Sequence, residues 1–257
     1  MYRLILILSA VIPAVFLLVR VYQADRLEKE PGRLLLWLVI LGVIATSLAG
    51  AAEQLGDSLL LSIFPEENIV YNLLLYYIVV AVSEEGFKYL LLKWRTWNSP
   101  HFNCQFDGVV YAVFVSLGFA LWENVFYVLY YGFATAVARA LTAVPGHAAF
   151  GVFMGVWYGV AKRYDLAGFE AESRAARGRA LLIPILLHGT YDFIATYQND
   201  WMSFIFLAFV IWMFRTALKL VKKTSAEDSP LMDNPGSGYG NAGGVIFNRD
   251  SSDGPRY

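Results

Sequence analysis

Seven runs of mostly apolar residues, each close to the length needed to cross a bilayer, constrain this chain more than any other feature. A hydrocarbon core about 30 Å thick takes about 20 helical residues, and a spanning segment must satisfy its own backbone polar groups. The runs fall at 4–20, 34–52, 69–92, 108–131, 134–161, 180–197 and 201–221. They predict an all-α fold, a polytopic membrane helix bundle of about seven transmembrane helices. Charged residues make up only 16% of the chain, below the roughly 25% of a soluble domain. The single cysteine, Cys104, excludes an internal disulfide framework or a thiol-pair metal site.

Positive charge alternates between the connecting segments. Arg20, Arg26, Lys29 and Arg33 follow the first run, whereas 53–68 carries no Lys or Arg. Lys93 and Arg95 follow the third run, and the turns near 132 and 198–200 again carry none. Lys162, Arg163, Arg174, Arg177 and Arg179 occupy 162–179, and Arg215, Lys219, Lys222 and Lys223 end the last run. Because Lys and Arg are retained on the cytoplasmic side, this pattern predicts an N-terminus outside and a cytoplasmic C-terminus. The first run lacks a following A-x-A site and is expected to be a retained span.

Residues 1–221 then form the membrane domain. The segment 222–257, rich in Gly, Ser, Asp and Asn, is expected to be a disordered cytoplasmic tail. The basic 162–179 connection is expected to be a short amphipathic segment on the inner leaflet or a solvated linker. Pro145-Gly146 should kink or break the fifth span, and Pro184 the sixth.

Ionisable residues inside the runs are costly, about 2.5–3.5 kcal/mol each at a helix centre, and face the bundle interior. The acids are Glu84, Glu85, Glu123 and Asp192; the histidines are His147 and His188; apart from the cytoplasmic-end cations already named, the cations are Lys88 and Arg139. In VSEEGFK, Glu84 and Lys88 are four apart on one helical face, and Glu85 points about 100° away. One acid is expected to be paired and the other free. A desolvated carboxylate beside a second acid is a usable general base.

His188 and Asp192 repeat the four-residue spacing, so the carboxylate can orient the ring while its other nitrogen faces the cavity. His147 follows a helix break and precedes Gly151 by four, leaving space beside the ring for a substrate backbone. Glu85 lies 7 residues from Leu92 and His188 lies 8 from Ala180, so both sit about 11–12 Å deep and can meet. The bland alternative is that each of these groups only hydrogen-bonds helices together.

Four motifs in order, EExxK at Glu84–Lys88, FxxxE at Phe119–Glu123, HxxxG at His147–Gly151 and HxxxD at His188–Asp192, resemble the PrsW family of intramembrane proteases. The stretches FDGVVYA and GFALWENVFY also look like that family, and the resemblance covers residues 69–197. It is similar more distantly to the type II CAAX prenyl endopeptidase and Abi superfamily. The resemblance implies an intramembrane endopeptidase in a bacterial or archaeal cell membrane. Glu84 or Glu85 would activate water, His147 or His188 would polarise the water or oxyanion, and Lys88, Glu123 and Asp192 would orient the others and balance charge.

The resemblance also implies a single-span membrane protein as substrate, with site-1 cleavage of an anti-sigma factor as the family's known task. A nucleic-acid partner is not expected. EExxK in place of EExxxR makes prenyl-protein processing a weaker reading.

The His and carboxylate set leaves a zinc ion open, although carboxylate-and-histidine water activation needs none. No HExxH is present, and neither aspartyl nor GxSG chemistry fits the spans. An ion- or proton-coupled transporter is the alternative outside the proteases, but it should show symmetric broken spans, which the chain lacks.

Overall fold

The computed structural model describes residues 1–64, 68–197 and 199–231, and it is built of seven long helical segments. These are α1 (Tyr2–Ala24), α2 (Gly32–Leu61), α3 (Ile69–Thr96), α4 (Asp107–Tyr131), α5 (Phe133–Leu166), α6 (Glu170–Thr196) and α7 (Asp200–Ala226). No strand occurs among the described residues. Six of the seven are long and apolar enough to cross a membrane; α6 is the exception, because its first turns carry Glu170, Glu172, Arg174, Arg177 and Arg179.

The helices outrun the apolar runs that nucleate them. Helix α2 continues past residue 52 to Leu61, which carries Glu53 inside it. The segment 162–179 is not a separate amphipathic element. Helix α5 runs to Leu166, the chain turns through Gly168, and α6 begins at Glu170. The Ser173 hydroxyl donates to the Ala161 carbonyl at 2.9 Å and pins this hairpin. At the other end of the chain α7 extends through Ala226, and the next few residues return to the bundle. The Phe106 amide donates to Asp228, and the Leu231 amide to the Asn103 carbonyl. The rest of the expected tail, 232–257, lies outside the described residues.

Proline acts differently at the two expected kinks. Helix α5 is interrupted at Thr142, where φ is -123° and ψ -65°, rather than at Pro145-Gly146 itself. Pro145 lacks the N–H that would bond Leu141, so the ladder opens one turn upstream and restarts at Ala143. Pro184 does not break α6, which stays helical from Glu170 to Thr196.

Helix α4 is the centre of the bundle, buried on all faces from Asp107 to Ala120. Its crossing with α5 relies on bare backbone. A Cβ on Gly155 would lie 2.4 Å from Cα of Val109, and one on Gly108 would lie 2.7 Å from the Gly155 carbonyl oxygen. In a bilayer, where apolar side chains gain little by leaving lipid, such close backbone approach is a main source of helix–helix adhesion. The outward faces carry exposed Trp37, Phe126, Trp201 and Phe204, as a lipid-facing surface requires.

Candidate active site

Five helices bring ionisable groups to one cavity of about 510 Å³. Its walls include Glu53 of α2, Glu84 of α3, Glu123 of α4, Arg139 and His147 of α5, and His188, Tyr191 and Asp192 of α6. Upstream of the glutamate pair, α3 widens into a π-helical stretch, Leu74–Val80, before tightening again at Ala81. Such insertions occur often at functional sites, and this one sets the rotation at which Glu84 and Glu85 enter the bundle. Tyr77 within it bonds Thr190 of α6 at 2.8 Å, tying the stretch to the helix that carries His188.

Lys88 is the hub. Its ammonium lies 3.1 Å from Glu84 Oε2, 2.7 Å from Glu85 Oε1 and 3.1 Å from His147 Nδ1. It also sits 3.9 Å from the centre of the Phe119 ring. The expectation of one paired and one free glutamate is therefore overturned. Residues three and four apart on a helix are both within reach of a long Lys side chain, and both acids use it.

What separates the two acids is access. Glu84 lines the cavity, whereas Glu85 is fully buried and absent from its walls. Glu85 Oε1 accepts from Lys88 and also lies 2.9 Å from His188 Nδ1, so the equal depths expected for Glu85 and His188 do bring them together.

Each imidazole is held at both nitrogens. His147 has Lys88 at Nδ1 and Glu123 Oε2 at Nε2, 2.9 Å away. His188 has Glu85 at Nδ1 and Asp192 Oδ2 at Nε2, 3.2 Å away, with Glu84 Oε2 at 3.9 Å. Nδ1, the nitrogen that Asp192 does not hold, thus meets the buried Glu85 carboxylate and not open cavity. Two carboxylates, one at each nitrogen, are satisfied together only by a ring that donates from both. The other partner of Glu123 is Arg139, 2.9 Å away, whose Nε also donates to Asn124 Oδ1 at 2.6 Å.

Gly151 does not open space for a substrate. Ser116 Cβ and Val113 Cα would lie 2.9 and 3.0 Å from a Cβ there, so this glycine lets α5 rest on α4.

Glu53 and Tyr191 were not singled out by sequence reasoning. Glu53 follows directly on the apolar run 34–52, and an acid at a span boundary carries no signal of which way it faces. Arg139 is, with Lys88, one of two cations in the apolar runs apart from those at the cytoplasmic ends, and that position was its only signal.

A family model described as PrsW family intramembrane metalloprotease matches residues 30–218. This chain belongs to that family. The PrsW-family reading extends over nearly the whole chain in individual relatives. Protease PrsW of Bacillus subtilis (strain 168) is 30% identical over 221 residues, covering 85% of this chain and 94% of the relative. Protease PrsW of Geobacillus kaustophilus (strain HTA426) is 32% identical over 236 residues, covering 88% and 94%. Protease PrsW of Clostridioides difficile (strain 630) is 31% identical over 229 residues, covering 86% and 92%. No solved structure matches the chain significantly. This PrsW-family member is accordingly a multi-pass membrane protease that acts on a membrane protein in a lipid environment.

The family's description implies a metal. Glu84, Glu85 and His147 offer ligand atoms within 4.8 Å of one another, and Glu85 Oε2 is buried without a partner. By donor type the trio suits zinc. Lys88, however, already bonds all three residues and puts a positive charge where the ion would sit. As arranged, the group does not fit a dication, because the ion and the ammonium would compete for the same lone pairs and repel each other.

Proposed function

We propose that this protease hydrolyses a peptide bond of a single-span membrane protein within the bilayer, using water activated by Glu84. The observation that carries this reading is the division of the glutamate pair: Glu84 faces the cavity while Glu85 is sealed behind it against Lys88 and His188.

In this scheme a water on Glu84 gives its proton to the carboxylate as its oxygen attacks the peptide carbonyl carbon. The carbonyl π electrons move to oxygen, and the resulting oxyanion is met by the Arg139 guanidinium on the cavity wall. Glu84 then returns the proton to the leaving nitrogen as the C–N bond breaks. Lys88 offsets the charge of the pair, Glu85 and Asp192 orient His188, and Glu123 orients His147. Preorganised charge in a low-dielectric site strengthens each of these contacts, which is how such a constellation stabilises a transition state.

The loop charges support a cytoplasmic C-terminus and insertion in the cell membrane. An anti-sigma factor with one membrane anchor is the substrate class that the family suggests.

The test uses purified wild type, Glu84→Gln, Glu85→Gln and His188→Ala with a panel of single-span substrates, with and without phenanthroline. Cleavage by wild type that persists in chelator and vanishes in Glu84→Gln is the expected result. Cleavage abolished by chelator and restored by zinc would overturn the metal-free reading.

A further inference from the structure

On the far side of α5 from the proteolytic cavity lies a second crevice, about 260 Å³, between α1, α5 and α7. Its floor is apolar and made partly of small side chains, Ala149 and Val152 among them, with Leu218 at its edge. Its polar end carries three cations, Arg20 near the end of α1, Arg26 just beyond that helix and Lys222 near the end of α7. No acid lines it.

Unlike Lys29, Lys162 and Arg163, these cations have no internal partner among the described residues, which is true of Lys219 and Lys223 as well, and they differ from those two in lining the crevice. Lys29 donates to the Tyr22 and Asp25 carbonyls, Arg163 to the Ser229 hydroxyl, and Lys162 lies 3.7 Å from Asp165. Arg20, Arg26 and Lys222 make no ion pair or hydrogen bond among the described residues. Along α7 the lining includes Phe214 and Lys222, 8 residues or about 12 Å apart, and so runs from membrane depth to the charged end.

We propose that this crevice binds one anionic glycerophospholipid, with an acyl chain on the apolar floor and the phosphate among Arg20, Arg26 and Lys222. An apolar slot ending in unpaired cations matches a molecule that is apolar along its length and anionic at its head, and basic pockets between spans recognise such headgroups. A zwitterionic lipid offers the same chain but no net charge. A free phosphate ester offers the charge but no chain.

The full chain, stripped of lipid in detergent, is mixed with equal amounts of phosphatidylglycerol and phosphatidylcholine, and retained lipid is counted by native mass spectrometry. Expected is one phosphatidylglycerol per chain, preferred at least tenfold over phosphatidylcholine and not displaced by an equal concentration of glycerol 1-phosphate. Arg20→Gln/Arg26→Gln/Lys222→Gln should reduce that preference to near unity. Leu218→Trp, which fills the slot from an exposed position and leaves the cations intact, should lower phosphatidylglycerol retention at least fivefold. Equal retention of both lipids by wild type, an unchanged preference in the triple variant, displacement by glycerol 1-phosphate, or full retention in Leu218→Trp would each overturn the proposal.

Discussion

The ammonium of Lys88 lies 3.9 Å from the centre of the Phe119 ring, which joins the first of the chain's four motifs to the second. The ring closes the remaining side of an enclosure whose other walls are Glu84, Glu85 and His147. A desolvated cation–π contact contributes about 2 kcal/mol. Phe119→Leu should therefore lower cleavage by up to about thirtyfold with the fold retained, while Phe119→Tyr stays near wild type. Equal rates for Phe119→Leu and wild type in a single-turnover cleavage assay would remove the ring from the machinery.

The two glutamates should fail in different ways. Glu84→Gln removes a cavity-facing carboxylate and is expected to cut turnover by about 10²–10⁴, as loss of a general base does, with a smaller fall in melting temperature than Glu85→Gln, because Glu85 keeps its own contact with Lys88. Glu85→Gln disturbs a fully buried acceptor shared by Lys88 and His188, and breaking a buried ion pair costs about 3–5 kcal/mol. Its melting temperature in detergent should fall clearly. The opposite assignment, a destabilised Glu84→Gln and a stable, inactive Glu85→Gln, would exchange their roles.

The contact between α4 and α5 should not accept a methyl group. Gly155→Ala would bring a Cβ within 2.5 Å of the Gly108 carbonyl oxygen, and both neighbours are backbone and cannot rotate away. Overpacking of this kind costs about 1–3 kcal/mol. Lower thermal stability is expected for Gly155→Ala but not for Gly178→Ala, where a Cβ would meet nothing within 4 Å.

Outside the spans, a buried acidic clasp should make the end of the bundle sensitive to pH. Burial, together with the charges of Asp228 and Glu28, raises the Asp25 carboxyl to about 6 against the opposing pull of Lys29. Burial and the charges of Asp25 and Glu28 raise Glu30 to about 7, although contacts with Tyr111 and Asp107 oppose this. Asp228 is raised too, with burial the largest cause and Arg163 opposing.

A carboxyl whose pKa is higher folded than unfolded favours the fold while protonated. Its contribution is full below about pH 4 and is lost as pH rises through 6 to 7. Amide exchange in 25–30 and 227–231, corrected for intrinsic rate, should show weaker protection at pH 8 than at pH 5. Asp25→Asn should flatten that difference, and protection that rises with pH in wild type would contradict it.

The helical plan was legible in the chain because each span must carry its own apolar length. The runs at 108–131 and 201–221 fall within α4 and α7 for that reason. The charged groups were legible too, since Glu84, Glu85, Lys88, Glu123, His147, His188 and Asp192 stand out against apolar neighbours. Helix ends were less so. Backbone hydrogen bonding carries α2 and α7 beyond their apolar stretches, and a proline opens the ladder a turn before its own position.

What the sequence alone determined is which residues are too costly to leave in lipid, because that cost belongs to each side chain. Which of them meet was decided by tertiary structure. The single Lys88 ammonium serves both glutamates, Glu84 faces the cavity and Glu85 does not, and Gly151 serves packing. Helical spacing relates groups only within one helix, whereas these relations depend on how α3, α4, α5 and α6 are rotated against one another. That rotation is set by a π-helical stretch, a proline-opened turn and bare glycine contacts acting together.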